Sequence, residues 1–383
     1  MAKSSPNPDG LNIALISVHG LIRGHDLELG CDADTGGQTK YVVELARALA
    51  QLPGISDVVL FTRLITAPNV DADYGQPVEQ LGDGARIVRI NGGPPEEYIA
   101  KELLWDHLDS LADNMLDFFR DSDWQPDVIH THYADAGYVG GRLVHVLGVP
   151  LVHTGHSLGR VKRRRLLATG LSSNEVDERY NMSRRIDAEE MTLASADRVI
   201  TSTHQEIEEQ YELYDHYQPG QMRVVPPGTD LELFHPPHGD EWHSHMGQVI
   251  RRFLHESHKP LILALSRPDP RKNIGALVEA FGESERLQEL ANLVIIAGTR
   301  DDIGEMDEGA QEVLTSLLLA IDRFDLYGKV AYPKWHRGDD VPLIYRIAAL
   351  SDGVFVNPAL TEPFGLTLIE AAASGLPVVA TED

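Results

Sequence analysis

Cysteine and long apolar runs are almost absent from this sequence. Cys31 is the one cysteine in 383 residues, which excludes an intrachain disulfide and a multi-cysteine metal site and is typical of a reducing compartment. No uninterrupted apolar run approaches the roughly 20 residues that a membrane-spanning helix needs, and the N-terminal MAKSSPNPDG contains no apolar signal segment. These absences predict a cytoplasmic protein that does not contact membranes.

Positive charge is also scarce. The chain has 33 lysine and arginine residues against 59 aspartate and glutamate residues, a formal net charge of −26 at pH 7. At long range such a protein repels polyanions, so nucleic acids and anionic membranes are poor candidate partners. The hydrophobic content of 42% is ordinary for a globular protein. Because a single core stops growing near about 250 to 300 residues, we expect two domains.

Apolar, β-rich segments alternate with helical segments along the chain, the pattern of βαβ units around parallel sheets. The predicted strands are LNIALISV, VVLFTRL, RIVRI, DVIHTH, PLVHTGHS, DRVITST, MRVVPPG, PLILALS, NLVIIAG, KVAYP, GVFVNPA and PVVAT. HPPHGDEWHSHMG lacks periodicity, and we interpret its histidines (His238, His243, His245) as part of a solvated linker rather than a metal site. The expected fold is α/β, with two Rossmann-like, doubly wound parallel-sheet domains at 1–234 and 260–383 and a linker region at 235–259.

Ligands of doubly wound sheets bind outside the carboxyl ends of the strands, so two such domains in series predict a cleft. In DADTGGQTKYVVELARAL, apolar residues recur at helical spacing from Val42, which predicts a helix that begins close to Gln38. Gly36 and Gly37 then occupy the approach to the helix N-terminus, where ligand groups with partial negative charge are favoured. A plain tight turn is the alternative, and we give little weight to the DAD tripeptide as a metal site.

The segment GHSLGRVKRRR follows the predicted strand PLVHT. His156 comes directly after this strand, and the run from Arg160 to Arg165 places five positive charges in six residues of an acidic chain. Such a cluster predicts a local anion site, with one or two of its members in a pocket. A solvated helix face and a nucleic-acid patch remain as alternatives.

A second set of polar residues follows strands in the second half. LSRPDPRKN places Arg267 and Lys272 in a loop after the strand PLILALS. Two cations at this position are suited to neutralising a diphosphate.

The segment TEPFGLTLIEAAASG combines several features that are suited to binding a nucleotide diphosphate. Glu362 follows the strand GVFVNPA, Gly365 stands at a helix entry, and Glu370 lies inside that helix. Free backbone N–H groups at Leu366 and Thr367 are suited to a diphosphate. A carboxylate nearby accepts hydrogen bonds from ribose hydroxyls, which is the position of Glu370.

Together these motifs resemble the sucrose-phosphate synthases, among the retaining GT-B glycosyltransferases of family 4. The resemblance runs through DTGGQTKYVVELARAL, HTHYADAGYVGG, GHSLGRVK, ERYNMSRRI, ADRVITSTHQEI, VVPPGTD, LSRPDPRKNI, GTRDDI, VAYPKWH and VFVNPALTEPFGLTLIEAAASGLP. It covers nearly the whole chain, and its E-x7-E pair falls on Glu362 and Glu370. It implies a GT-B fold and glucosyl transfer from UDP-glucose to fructose 6-phosphate, giving sucrose 6-phosphate and UDP with retention.

The resemblance also assigns residues to the acceptor. It implies that Gly36 and Gln38 contact the acceptor sugar, with Gly36 also beside the donor diphosphate. It further implies that Lys101, Lys162 and Arg185 bind the acceptor phosphate.

For the donor, the resemblance implies that His156 lies against the transferred glucose. Arg267 and Lys272 would hold the diphosphate, Glu362 the glucosyl hydroxyls and Glu370 the ribose. His156, Glu362, Arg267 and Lys272 are therefore the predicted catalytic set. No cofactor and no metal is required on this interpretation.

Several other functions remain open. Sucrose synthase shares the donor but uses unphosphorylated fructose, and the basic run together with NMSRRI favours a phosphorylated acceptor. Mannosylfructose-phosphate synthase, which uses GDP-mannose, would have a similar acceptor side. A nucleotide-sugar epimerase would need no acceptor-phosphate cluster, and a regulatory nucleotide-sugar binder would release no UDP when incubated with donor and acceptor. The resemblance also suggests a sucrose-phosphate phosphatase as a partner.

The C-terminal sequence GLPVVATED stops directly after a predicted strand. The resemblance implies a further Gly-Gly-Pro loop, more βα units and a returning helix. On this basis the second domain is expected to be incomplete and the chain, as written, to be a weak catalyst.

Overall fold

A computed structural model describes residues 10–28, 34–360, 362 and 365–381. The chain divides into two compact units, Met1–Pro226 and Pro227–Asp383. Each unit is built on one β-sheet. Within the described ranges, no helix has both the length and the apolar character needed to cross a bilayer. Cys31 and Asp32, on which two of the sequence arguments depend, lie outside these ranges.

The first unit contains an eight-stranded sheet. Its strands are β1 (Leu11–Ile16), β2 (Ile55–Arg63), β3 (Val78–Gly82), β4 (Ala85–Ile90), β5 (Val128–His132), β6 (Leu151–Thr154), β7 (Arg198–Thr201) and β8 (Met222–Val224). Their order is β3-β4-β2-β1-β5-β6-β7-β8, and every neighbouring pair is parallel except β3 and β4. The sequence did not predict β3, because its short, largely exposed VEQLG segment at the sheet edge has no apolar run.

Helices cover both faces of this sheet. They are α1 (Gly37–Ala50), α2 (Leu108–Asp121), α3 (Ala134–Leu147), α4 (Gly159–Ala168), α5 (Ser173–Tyr180), α6 (Met182–Ser195) and α7 (His204–Glu209). One core packs α1 against the sheet through Val42, Val43 and Ala46, and a second core lies on residues of α2, α3 and α6. Two separate cores on one sheet confirm the predicted doubly wound architecture. The predicted start of α1 near Gln38 is also confirmed.

The second unit repeats this arrangement with a five-stranded parallel sheet. Its strands, in the order β11-β10-β9-β12-β13, are β9 (Leu261–Ser266), β10 (Asn292–Ala297), β11 (Val330–Ala331), β12 (Val354–Asn357) and β13 (Val378–Ala380). All of them were predicted from apolar segments. The helices are α8 (His245–Arg251), α9 (Ile274–Glu283), α10 (Glu285–Leu290), α11 (Glu308–Arg323), α12 (Val341–Leu350) and α13 (Leu366–Ala373).

The division between the units differs from the expected linker region at 235–259. That segment belongs to the second unit, where Met246 and Ile250 of α8 are buried in the core together with Phe234. The sequence did not predict α8, because this helix has only seven residues and is too short to show a clear helical period among the surrounding prolines, glycines and histidines. The structure therefore places the boundary between Pro226 and Pro227.

Close packing of α3 on the sheet provides a test of the first unit. A Cβ atom at Gly140 would lie 2.3 Å from Cγ2 of Thr131 on β5, whereas one at Gly141 would lie 3.7 Å from Oγ of Ser195, an ordinary contact. We expect Gly140→Ala to lower the free energy of unfolding by about 1 to 3 kcal/mol through overpacking. Gly141→Ala, the matched control on the same helix, should leave it unchanged or raise it, because alanine favours helix.

Urea unfolding of both variants measures this difference. Equal unfolding midpoints for the two variants would contradict the described packing of α3 against β5.

Candidate functional site

The predicted acceptor residues of the first unit lie at the carboxyl edge of its sheet. β1, β5 and β6 are neighbours there, so the loops that follow them meet although they are distant in sequence. Gln38 in the first turn of α1 donates from Nε2 to the hydroxyl oxygen of Ser17, which follows β1, at 3.2 Å. The structure therefore holds Gln38 at this edge.

Neither the backbone conformation nor the packing of the described residues requires glycine at positions 36 and 37. Gly36 is in an extended conformation with φ of −139°, and a Cβ atom on either residue would meet no atom within 4 Å among those described. Neither a left-handed turn nor a packing contact therefore requires glycine here. Open space beside a helix N-terminus is consistent with the prediction that a ligand approaches this backbone.

His156 belongs to a cluster of histidines in β5 and β6 or directly after β6. Its ring stacks on that of His132 with centroids 5.2 Å apart and meets Tyr41 edge-on, also at 5.2 Å. Its backbone adopts a left-handed φ of 57°, an uncommon conformation for a residue other than glycine. His130 and His153 bond to the hydroxyls of Thr154 and Thr131, each at 2.9 Å.

Burial keeps these imidazoles neutral. It lowers the pKa of His156 and His153 to about 3 and that of His130 to about 4, and repulsion from neighbouring histidines adds to the effect at His156 and His153. The pKa of His132 is also held well below its ordinary value by burial. His156 therefore acts as a neutral hydrogen-bonding group rather than as a cation.

The bond between His132 and His156 determines where their protons lie. Nδ1 of His132 is 2.9 Å from Nε2 of His156, so one nitrogen donates and the other accepts. Nε2 of His132 is buried and has no hydrogen-bond partner in the described part of the chain. A proton there would be an unsatisfied buried donor, so the His132 proton belongs on Nδ1. His156 then carries its own proton on Nδ1.

A small pocket brings together the three predicted phosphate ligands. Lys101, Lys162 and Arg185 line it with Glu102 and three aromatic side chains, Trp105, Tyr133 and Tyr180. We call this set the cationic pocket. The structure thus brings together three cations that are separated by up to 84 residues in sequence. Their role as phosphate ligands remains a prediction.

Carboxylates neighbour all three cations of the cationic pocket. Lys101 pairs with the buried Asp34, and Arg185 donates from Nε to Glu189 at 3.0 Å. Lys162 is the most loosely held, with its ammonium 3.8 Å from Oε1 of Glu102 and 4.6 Å from the Tyr180 ring centroid. Burial, together with repulsion from Arg185, lowers the pKa of Lys162 to about 8. Lys162 is therefore the cation most available to a ligand.

Sequence reasoning did not single out Asp34, Glu102 or Tyr133 for this pocket. Asp34 also accepts from the backbone N–H of Lys101 at 2.9 Å, which fixes the short 3-10 helix Lys101–His107 beside the loop before α1. Tyr133 has a left-handed φ of 79° and lies under the Arg185 guanidinium at 4.5 Å. The HTHYAD motif was the available signal for Tyr133, because it directly follows a strand.

The basic run on α4 divides between two faces. Lys162 faces the cationic pocket, whereas Arg160, Arg163 and Arg164 line a separate groove toward α6. Arg165 is exposed and lines neither. Members of the run line two separate concave surfaces rather than one, and the anion site that the run predicts stays a prediction.

In the second unit, predicted donor residues meet at the carboxyl ends of β9 and β12, which are adjacent strands. The Lys272 ammonium lies 2.5 Å from Oε2 of Glu362, and Asn357 donates to the same oxygen at 3.1 Å. Asn357 was not predicted, although it ends β12. Arg267 is exposed and forms no ion pair with the described residues.

The entry to α13 supplies the remaining donor candidates. Gly365 has a left-handed φ of 77°, and a Cβ atom there would lie 2.6 Å from Leu368 and 3.1 Å from Glu362, so glycine is required. Leu366 and Thr367 begin α13, where backbone N–H groups lack intrahelical acceptors. Glu370 is 7% exposed and accepts from the Tyr345 hydroxyl at 3.4 Å.

Metal ligation has no visible support in the described ranges. No group of three or more histidine, cysteine, aspartate or glutamate residues is arranged there to hold an ion. His243 lies just before α8, and His245 is the first residue of α8.

Two family models match this chain. The model of glycosyltransferase family 4 matches residues 35–233, and the model of glycosyl transferases group 1 matches residues 248–383. The first covers more than half of the chain and most of the first unit. The two parallel-sheet α/β units are those of the GT-B glycosyltransferase fold.

Similar proteins are sucrose-phosphate synthases. The chain is 48% identical to the maize (Zea mays) enzyme and 47% identical to sucrose-phosphate synthase 1 of Arabidopsis thaliana, over 97% of its own length in both cases. It spans 41% and 42% of the length of these two relatives. A solved sucrose-phosphate synthase from Thermosynechococcus elongatus matches with a TM-score of 0.71 and 29% identity, covering 97% of this chain and 81% of that one.

The tautomer assignment of His132 and His156 is directly testable. Asparagine carries its side-chain N–H close to the position of Nδ1, whereas glutamine carries it close to that of Nε2. We therefore expect His132→Asn to keep the Nδ1–H tautomer of His156 and His132→Gln to perturb it. Nitrogen-15 NMR of the imidazoles measures both, and an unchanged His156 signal in His132→Gln would contradict the assignment.

Proposed function

Since this chain belongs to glycosyltransferase family 4, we propose that it transfers glucose from UDP-glucose to fructose 6-phosphate. The products are sucrose 6-phosphate and UDP, with retention at the anomeric carbon. Similarity to the plant and cyanobacterial sucrose-phosphate synthases supports this choice of substrates. The observation that carries it is the cationic pocket, where Lys101, Lys162 and Arg185 meet in a strongly acidic protein.

A phosphorylated acceptor explains this pocket better than a neutral sugar. Three cations beside aromatic walls suit a phosphate monoester, which forms charge-assisted hydrogen bonds with lysine and arginine. Free fructose would bring no anion to Lys162, the most loosely held of the three cations, which disfavours sucrose synthase. In this proposal Lys101, Lys162 and Arg185 bind the phosphate, while Gln38 and the open backbone at Gly36 contact the sugar.

The diphosphate and the ribose of the donor are assigned to the second unit. Lys272 and Arg267 stabilise the negative charge that develops on the departing diphosphate, with help from the N–H groups of Leu366 and Thr367. Glu362 binds glucosyl hydroxyls and Glu370 the ribose.

His156, neutral and protonated on Nδ1, offers that N–H to the transferred glucose. No carboxylate base is needed if the leaving phosphate oxygen takes the acceptor proton on the same face.

An activity matrix tests the proposal as a whole. UDP-, ADP- and GDP-glucose and GDP-mannose are each incubated with fructose and with fructose 6-phosphate, and nucleotide release is measured. Release from UDP-glucose that requires the phosphorylated acceptor is expected. Release from GDP-mannose instead would identify a mannosylfructose-phosphate synthase, and release without an acceptor would indicate a different reaction.

Two wider proposals follow from this reaction. The product is a phosphate monoester, and we propose a sucrose-phosphate phosphatase as the enzyme that consumes it. The lone cysteine supports a cytoplasmic location.

Substitution of Lys162 is expected to affect binding of the acceptor but not binding of the donor. Removing one charge-assisted contact costs about 1.5 to 3 kcal/mol, so Lys162→Ala should raise KM for fructose 6-phosphate about tenfold or more and leave KM for UDP-glucose unchanged. Arg185 is a poorer choice, because its removal leaves the buried Glu189 unpaired and destabilises the fold.

Lys162 also predicts a pH dependence. With a pKa of about 8, its ammonium loses its proton as the pH rises through that value, so KM for fructose 6-phosphate should increase between about pH 7.5 and 9. Lys162→Arg keeps its charge and should abolish this increase. A parent enzyme with the same pH profile as Lys162→Arg would show that Lys162 does not contact the phosphate.

In this proposal the two glutamates bind different parts of the donor, Glu370 the ribose and Glu362 the glucosyl group. Glu370→Gln should weaken binding of UDP and of UDP-glucose alike, by about tenfold, because the ribose is common to both ligands. Glu362→Gln should weaken UDP-glucose chiefly. Titration of each variant with both ligands measures this, and identical losses for both ligands in both variants would refute the assignment.

A further inference from the structure

The first turn of α4 is capped by groups from distant segments. Leu158, the residue before the helix, supplies no side-chain cap. The N–H of Gly159 donates instead to the Glu189 carboxylate, and the N–H of Arg160 donates to the hydroxyl oxygen of Tyr214, each at 3.0 Å. Because the first N–H groups of a helix have no intrahelical acceptor, these two contacts fix where α4 begins.

One of these groups, the Tyr214 hydroxyl, forms two hydrogen bonds. Its oxygen accepts from Arg160, and its proton is donated to Oε2 of Glu189. Burial, together with the negative charge of Glu189, raises the pKa of Tyr214, so the hydroxyl keeps the proton that it donates. The hydroxyl therefore joins the start of α4 to a carboxylate on α6.

Both ends of this link lead to the cationic pocket. Lys162 is the fourth residue of α4 and lies in the turn that Tyr214 caps. Glu189, at the other end, accepts from Nε of Arg185 at 3.0 Å. Tyr214 is not among the residues that line the pocket. Two of the three cations in the pocket thus depend on a hydroxyl that lies outside it.

The segment that carries Tyr214 is itself held in place. Glu190 of α6 accepts from the backbone N–H groups of Asp215 and His216, both at 3.0 Å. The Arg160 guanidinium lies over the Tyr214 ring, 5.2 Å from its centroid. The hydroxyl is therefore presented by a fixed backbone and a packed ring.

We propose that Tyr214 is a positioning residue of the cationic pocket, whose hydroxyl fixes Lys162 and Arg185 relative to each other and thereby sets the affinity for the acceptor phosphate. Tyr214 acts through the start of α4 and through Glu189, and it touches neither substrate. Cations that are held in place bind an anion more tightly, because they lose less side-chain freedom on binding. The proposal rests on the proposed function, which makes the acceptor phosphate the ligand of this pocket.

Tyr214→Phe removes the hydroxyl and keeps the ring. The Arg160 N–H then lacks its acceptor and Glu189 lacks one donor, so we expect KM for fructose 6-phosphate to rise about threefold to tenfold. KM for UDP-glucose should stay unchanged. A substitution that only destabilised the fold would lower the amount of active enzyme and hence the apparent kcat, without separating the two KM values.

Tyr217→Phe is the matched control. Tyr217 lies three residues further along the chain and packs, partly buried, against the core that contains Tyr214. Its hydroxyl forms no hydrogen bond with the residues that the structure describes. Both KM values in this variant should equal those of the parent enzyme.

The pKa of Lys162 provides a readout that needs no substrate. Burial and repulsion from Arg185 lower it to about 8. The other charged groups around Lys162 are Glu102, Lys101 and Asp34. Once Tyr214→Phe loosens the two cations, Lys162 gains contact with solvent and distance from Arg185, so its pKa should rise toward the ordinary value of lysine. Carbon-13 NMR of the lysine side chains, with the Lys162 signal identified by its absence in Lys162→Arg, measures this change.

Hydrogen exchange in the parent protein tests the contact without any substitution. Arg160 and Gln38 are each the second residue of a helix whose N-cap residue forms no side-chain cap. We expect the Arg160 amide to exchange more slowly than the Gln38 amide, because Tyr214 accepts from it. This comparison decides the matter even where Tyr214→Phe does not fold.

Three results would overturn the proposal. They are equal exchange at Arg160 and Gln38, the same Lys162 pKa in Tyr214→Phe as in the parent protein, and KM values for the two substrates that change equally or not at all. A failure of the proposed function is distinguishable, because the activity matrix would then show no requirement for the phosphorylated acceptor. The Lys162 titration and the exchange comparison need neither substrate, so they still decide whether Tyr214 positions the pocket.

Discussion

The buried ion pair between Arg185 and Glu189 holds the first unit's site together. Both residues are 3% exposed. The Glu189 carboxylate accepts from the backbone N–H of Gly159 and from the hydroxyl of Tyr214, and Arg185 donates to the carbonyl of Ser157 at 2.7 Å. A Cβ atom at Gly159 would lie 2.7 Å from the same carboxylate, so this approach requires glycine. Such pairs are costly to bury, and their value lies in fixing one arrangement.

That arrangement positions α4 and therefore both of its charged faces. The cationic pocket on one side and the groove lined by Arg160, Arg163 and Arg164 on the other share this helix, which begins at the point that Glu189 anchors. An acidic protein repels anions at a distance, so local clusters of cations are needed to bind them. In the cationic pocket carboxylates hold the lysines and arginine in place, and in the proposed reaction an incoming phosphate would compete with Glu102 for Lys162. Pre-positioned cations lose little side-chain freedom on binding.

The histidine cluster shows the same principle with neutral groups. Burial removes charge from the imidazoles, and hydrogen bonds to Thr131, Thr154 and one another then fix their orientation. In the second unit, Lys272 and Glu362 hold each other at the ends of adjacent strands, with Asn357 as a third partner. Both clusters lie where parallel strands end, because backbone loops there bring distant segments to one edge.

Local sequence patterns were sufficient to predict the α/β class, most of the strands and the general position of the candidate residues. Apolar runs and helical periods are local properties, and residues such as His156 and Lys272 could be located because they directly follow a strand. The short antiparallel β3 and the helix α8 were missed, since neither has a long apolar pattern. Lys101 was assigned through resemblance alone.

Which charged side chains meet could not be predicted from local patterns and is seen only in the folded chain. The tertiary structure paired Lys101 with Asp34, placed Glu102 beside Lys162 and turned Arg163 away from the cationic pocket into a groove of its own. It also moved the unit boundary to Pro226, because Phe234 packs in the second core. Pairing, burial and the facing of a helix depend on contacts between segments far apart in the chain, and no local pattern of residues encodes them.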